Sequence, residues 1–160
     1  MLSSDLDEFL TTYRGGITVE EGRALSRYAE ACCNGVIVEI GSFRGKSAVA
    51  LAFGQARSRL AEEGLVFCIE PHAPFVGIYG GQFGPQDRRD FYDVMLRTGF
   101  YDRVCLVNLS SQEASCGWRR PIALLFIDGD HSIEGVKSDV AFTLEKQQVG
   151  HTNLASRIRV

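Results

Sequence analysis

Four short apolar runs, separated by stretches of helical periodicity, constrain this chain more than any other feature. They are Val36-Ile-Val-Glu-Ile40, Leu65-Val-Phe-Cys-Ile69, Arg103-Val-Cys-Leu-Val-Asn108 and Ile122-Ala-Leu-Leu-Phe-Ile127. Each is rich in β-branched or aromatic residues and too short for a buried helix. Strands that are apolar on both faces belong to a parallel sheet covered by helices on either side. Such sheets bind ligands beyond the carboxyl ends of their strands, where strand order reverses. The residues that follow each run are therefore the ones to read for chemistry.

The intervening segments supply the helices. Leu6, Phe9, Leu10 and Tyr13 share one helical face, and Gly15-Gly16 ends that segment. Thr18 and Glu21 have the spacing of a capping box, opening a second helix that turns Leu25, Tyr28 and Ala29 inward until Asn34-Gly35. Lys46 to Glu63 reads as a long helix, Asp87 to Arg97 as a shorter one, and Ile133, Val136, Val140 and Leu144 mark one face of another. Pro71 to Pro85 breaks the rhythm with four glycines, three of the four prolines, and Phe75, Tyr79 and Phe83. Two readings of it stay open: a solvated loop, or a lid whose aromatics close over a ligand.

At 160 residues the chain has the size of one domain, read as two N-terminal helices (1–35), a core (36–140) and a tail (141–160). A formal charge of −3 gives no basic field for nucleic acid or an anionic membrane. The first residues lack the basic start and apolar stretch of a signal peptide, so a cytoplasmic location is expected. The five cysteines form no CxxC pair and their number is odd, which predicts buried, reduced thiols rather than disulfides or a zinc site. His72 and His151 have no evident partner and read as surface residues.

The first strand runs into VIVEIGSFRGKS, residues 36–47. Three ligand classes use a strand, a glycine turn and a helix start. A phosphate-cradling loop requires GxxxxGK[ST], but the first glycine position is Ile40, and Gly41 leaves the loop one residue short. A dinucleotide turn requires GxGxxG, and Phe43 occupies the second glycine position, where a pyrophosphate must approach the backbone. In the third class an acid precedes the first glycine by two residues, as Glu39 does, and a second strand ends in an acid that accepts both ribose hydroxyls, as Glu70 does. Glu39 suits a ligand carrying positive charge, and the combination points to S-adenosylmethionine (SAM).

These residues, with Cys68-Ile-Glu-Pro71 and the run from Leu125 through Phe-Ile-Asp-Gly-Asp-His to Asp139, resemble the class I SAM-dependent methyltransferases. The branch most resembled is methyltransferase domain family 24, related to small-molecule O-methyltransferases. The resemblance covers about residues 35–140. It implies a Rossmann-like, doubly wound, mainly parallel sheet. It also implies that Glu39, Gly41, Ser42 and Gly45 line the methionine part of SAM, that Glu70 holds the ribose, and that Ser111 and Gln112 lie near the adenine. Asp128 would face the transfer centre, binding the cofactor amine, orienting His131 or ligating a magnesium ion.

Asp128-Gly-Asp-His131 gathers two carboxylates and an imidazole at a strand end. His131 is the natural base for a hydroxyl acceptor near neutral pH, although Asp130 or Ser132 capping the next helix, with His131 at the surface, also fits. After Leu144 the family pattern stops: the expected turn, fifth strand and C-terminal hairpin are replaced by a divergent tail in which Leu154 to Val160 supplies one strand. The chain thus reads as truncated or altered at its end, with sheet edges that invite a homo-oligomer. The expected function is methyl transfer to a small-molecule hydroxyl. The alternatives are an inactive cofactor-binding scaffold and, behind it, a nucleotide-binding protein with a short phosphate loop.

Overall fold

The computed structural model describes residues 3–62, 64–77, 80–129, 132–146 and 153–156. In chain order the elements are α1 (Ser3–Thr12), α2 (Val19–Glu30), β1 (Val36–Ile40), α3 (Lys46–Gln55), β2 (Val66–Ile69), β3 (Phe75–Val76), β4 (Gln82–Phe83), α4 (Pro85–Thr98), β5 (Val104–Val107), α5 (Ser111–Gly117), β6 (Ile122–Ile127), α6 (Ile133–Lys146) and β7 (Asn153–Ser156). The main sheet has the order β5-β2-β1-β6-β7 and every pairing in it is parallel. This is the doubly wound, Rossmann-like sheet expected. Strand order reverses between β1 and β6, so their carboxyl ends frame the ligand crevice of such a sheet.

Side-chain alternation along β1 divides the core. Ile37 joins Leu124, Phe126, Leu51 and Leu10 under α1 to α4, whereas Val36, Val38 and Ile40 join Leu125, Ile69 and Phe142 under α5 and α6. Thr18 does cap α2, with both halves of the capping box formed to Glu21. The buried stripe of α2 is Gly22, Leu25, Ser26 and Ala29, and Tyr28 flanks it in solvent rather than turning inward. The α2–α3 contact is close because a Cβ on Gly54 would fall 2.0 Å from the Ser26 carbonyl oxygen.

Other differences have local causes. α3 stops at Gln55, not Glu63, because Gln55 Nε2 bonds the Leu60 carbonyl and Ser58 Oγ the Gln55 carbonyl, turning the chain off the helix axis. On α6, Ile133 and Val140 are exposed, while Phe142 and Asp139 are buried; the Leu144 side chain lies outside the described residues. α5 is an addition, capped by Ser110 and Glu113. The tail contributes β7 beside β6, and residues 157–160 lie outside the described residues. All five cysteines are free, but only Cys32 and Cys68 are buried; Cys105 lies on edge strand β5 and is exposed, as are Cys33 and Cys116. No helix among the described residues is long and apolar enough to cross a membrane.

Candidate active site

A largely apolar cavity of about 510 Å³ opens at the carboxyl ends of β1, β2 and β6. That volume falls within the range of small-molecule and cofactor pockets. Its floor is the turn joining β1 to α3. Gly41 adopts φ +86°, and a Cβ there would lie 2.4 Å from both the Asp128 carbonyl oxygen and Gly129 Cα. The glycine therefore lets the post-β1 and post-β6 loops touch each other, a stricter need than close approach to a ligand. Gly45, at φ +85°, does not face the cavity. It backs onto α4, where a Cβ would meet Met95 Cε at 2.9 Å.

Glu70, just after β2, stands in the cavity wall and ties this turn down. Its Oε2 accepts from Phe43 N–H at 3.3 Å and its Oε1 from His72 N–H at 3.0 Å. Each carboxylate oxygen keeps acceptor capacity for a ligand hydroxyl. His72 is buried, not a surface residue. With Nε2 as its protonated nitrogen it donates to the Phe43 carbonyl at 2.8 Å, leaving Nδ1 facing Asn108 Nδ2 at 3.4 Å. Phe43 (φ 47°) and His72 (φ 49°) are the two non-glycine residues in the left-handed region among those described, and they are bonded to each other. Strain concentrated at one side of a cavity marks it as a built site. Arg44 then anchors the turn outward: its Nε donates to the buried Asp87 carboxylate at 2.8 Å, and Asp87 in turn accepts from Gly84 N–H at the start of α4. Tyr13 donates its hydroxyl to the Arg44 carbonyl.

Glu39 lies one layer lower than the family resemblance implies. It is fully buried beneath the turn and is absent from the cavity lining. Cys68 Sγ donates to its Oε2 at 3.2 Å, while Oε1 has no hydrogen-bond partner among the described residues. Burial pushes its carboxyl up to about 7; bonds from Ser47 and Cys68 pull the other way, and the Asp128 charge adds to the rise. Ser42 does line the cavity, with its Oγ beside Glu39 and Cys68 but at hydrogen-bond geometry with no group among the described residues.

Asp128 and Ser111 also line the cavity, and Ser111 Oγ donates to Asp139 Oδ1 at 2.6 Å. Gln112, one residue further, is exposed and outside the wall. His131 and Asp130 lie outside the described residues. Among the described residues no group of three or more His, Cys, Asp or Glu side chains is placed to hold a metal ion. The 71–85 segment is more than a solvated loop: β3 and β4 pair antiparallel, Phe75 stacks on Phe83 at 4.6 Å, and Phe83 meets the Phe43 ring edge-on at 5.0 Å, all three lining the cavity. Tyr79 lies outside the described residues.

A family model described as a methyltransferase domain, family 24, matches residues 38–151. This chain belongs to that methyltransferase family. Solved structures agree on the fold. The Bacillus cereus O-methyltransferase in complex with SAH matches at TM-score 0.65 and 19% identity, covering 98% of this chain and 66% of that one. The SAH-bound methyltransferase of Podospora anserina matches at TM-score 0.64 and 17% identity, over 92% and 57%. The O-methyltransferase TomG of Streptomyces achromogenes, involved in tomaymycin synthesis and solved with SAM, matches at 0.57 and 16%, over 89% and 61%. The chain thus spans 57–66% of the length of these structures.

Two cavity residues of this methyltransferase domain take places that the sequence motifs do not give them. His72 follows Glu70 by two residues, but its partners Phe43 and Asn108 lie 29 and 36 positions away in sequence. Lys46 reads as the lysine of a failed phosphate loop. In the fold it is 8% exposed, part of the cavity wall, and donates to the Ile17 carbonyl at 3.0 Å.

Proposed function

We propose that this chain is a SAM-dependent methyltransferase acting on a hydroxyl of a small molecule. The observation that carries the reading is that one cavity joins the Gly41 turn after β1, Glu70 after β2 and Asp128 after β6 in a single wall. The residues suit SAM. Glu70 keeps acceptor capacity on both oxygens for two ribose hydroxyls while two backbone N–H groups fix its position. Ser111 stands next along the wall for the adenine, and Asp128 supplies negative charge for an ammonium.

When bound, SAM supplies a methyl group activated on a sulfonium. The chain's share of the reaction is positioning and exclusion of water, which dominate an in-line displacement. The rings of Phe43, Phe75 and Phe83 keep one side of the cavity apolar. His131, three residues beyond Asp128, is assigned the acceptor's hydroxyl proton.

Calorimetric titration of SAM into the chain and into Glu70→Ala tests the reading. Saturable binding that weakens roughly 10- to 100-fold in the variant is expected, since a bond to a charged group is worth about 1.5–3 kcal/mol. Absence of binding by the folded wild-type chain would end it. His131→Ala is expected to abolish most transfer to an acceptor while leaving SAM affinity intact; undiminished transfer would remove His131 from that role.

A further inference from the structure

We propose that His72 is a positioning residue for Glu70: its imidazole holds the Phe43 peptide so that the Glu70 carboxylate keeps one fixed orientation in the cavity wall. The inference rests on the SAM reading above and extends it to a residue that touches Glu70 and the strained turn rather than the reacting atoms.

The observation that carries it is where the backbone strain is spent. Among the described non-glycine residues only Phe43 and His72 have φ in the left-handed region, at 47° and 49°. The same two residues supply the two N–H groups that bond Glu70, Phe43 to Oε2 at 3.3 Å and His72 to Oε1 at 3.0 Å. Left-handed backbone is costly for a residue with a side chain, and it persists only where the surroundings over-determine it. Here both strained residues converge on one carboxylate, with one N–H to each oxygen, so the carboxyl group cannot turn without breaking a bond. Each oxygen keeps a further lone pair for one hydroxyl of a vicinal diol.

The His72 ring closes the circuit. Glu70 holds the peptide before Phe43 through its N–H, and His72 Nε2 holds the peptide after it, donating to the Phe43 carbonyl at 2.8 Å. Phe43 is thereby gripped on both sides of its strained Cα. The ring itself has little freedom: it is 4% exposed and meets the Phe91 ring of α4 at 6.2 Å. Its Nδ1 faces Asn108 Nδ2 at 3.4 Å, and the same amide nitrogen donates to the Glu70 carbonyl at 2.7 Å. An amide donor beside Nδ1 makes that nitrogen the acceptor and keeps the proton on Nε2, where the Phe43 carbonyl needs it. Arg88 of α4 holds the intervening Pro71 carbonyl at 2.9 Å. Residues 70–72 thus join the loops after β1 and β5 to α4, and the His72 side chain locks them to the strained turn.

The test is calorimetric titration of S-adenosylhomocysteine into the full chain and its variants. His72→Phe keeps a ring against Phe91 and removes both nitrogens, whereas His72→Gln keeps a donor in place of Nε2. His72→Phe is expected to weaken binding roughly 3- to 10-fold, and His72→Gln to stay within about twofold of wild type. In the Glu70→Ala background, with no carboxylate left to position, His72→Phe is expected to change affinity by less than about twofold. Undiminished binding by His72→Phe, no recovery in His72→Gln, or the same loss with and without Glu70 would overturn the proposal. Should His72→Phe not fold, Asn108→Leu takes its place at an exposed position. A loss of roughly 2- to 3-fold that vanishes in Glu70→Ala is then expected, and unchanged affinity, or a loss that persists without Glu70, would overturn it. Weakened binding in Glu70→Ala with none in His72→Phe would leave the SAM reading standing without this role. If the wild type does not bind S-adenosylhomocysteine, the SAM reading itself falls and the role of His72 with it.

Discussion

The floor and the cover of the cavity are built by opposite means. The floor, residues 41–47, is pinned from every side: Gly41 against the Asp128–Gly129 backbone, Phe43 by Glu70 and His72, Arg44 by Asp87 and Tyr13, Gly45 against α4. The cover, β3 and β4, pairs two residues with two and rests on ring contacts among Phe75, Phe83 and Phe43, with Phe75 and Val76 exposed. Strained backbone conformations persist where their surroundings over-determine them, and the floor meets that condition. The floor is therefore rigid, whereas the cover rests on a two-residue pairing and on ring contacts.

The sharpest way to break this contrast is at Gly41. Gly41→Ala imposes a side chain at φ +86° and a 2.4 Å approach to backbone that has no room to give. A loss of about 3–5 kcal/mol is expected from strain and overpacking together, read by urea denaturation. A loss below about 1 kcal/mol would mean that the floor yields as easily as the cover.

Glu39 beneath the floor gives the next largest effect, and it depends on pH. Its folded pKa of about 7 lies above the ordinary 4.5. The folded state therefore holds the proton more tightly than the unfolded chain. The corresponding stability is present below pH 4.5 and is lost as pH rises to 7. The expected loss across that window is about 3 kcal/mol, at 1.36 kcal/mol per pKa unit. Glu39→Gln is expected to flatten the slope, leaving the variant more stable than wild type at pH 8. Parallel stability curves for the two proteins would show that Glu39 is not the group responsible.

The smallest effect belongs to the cover. Phe83→Ala removes two ring contacts, each worth about 0.5–1.5 kcal/mol, and is expected to lower SAM affinity by no more than about fivefold. A larger loss than Glu70→Ala produces would reverse the assignment of floor and cover.

The same division explains what could be read from sequence. β1 and β6 were legible to the residue, because a strand buried on both faces is an unbroken apolar run. Gly41, Glu70 and Asp128 were legible because turns and strand ends are local. Glu39 was found as a residue but its depth was not, since burial depends on α3 lying over it. His72 and Lys46 escaped because their partners lie 29 positions away in each case. α5 carries a local signal of its own, Ser110 and Glu113 in capping-box spacing. The apolar spacing of Ile133 and Val140 on α6 marks a helix but not its buried side: both are exposed, and Phe142 does the packing.

In the proposed complex the cofactor's adenosine and amino acid groups lie on the floor, between the ends of β1, β2 and β6. Amide resonances of the ¹⁵N-labelled chain, followed through a titration with S-adenosylhomocysteine, test it most directly. The largest shifts are expected at Gly41 to Ser47, Glu70 to His72 and Asp128 to Gly129, with smaller ones at Phe75 and Phe83. Shifts confined to the hairpin or to the far face of the sheet, with the Gly41 turn silent, would contradict it.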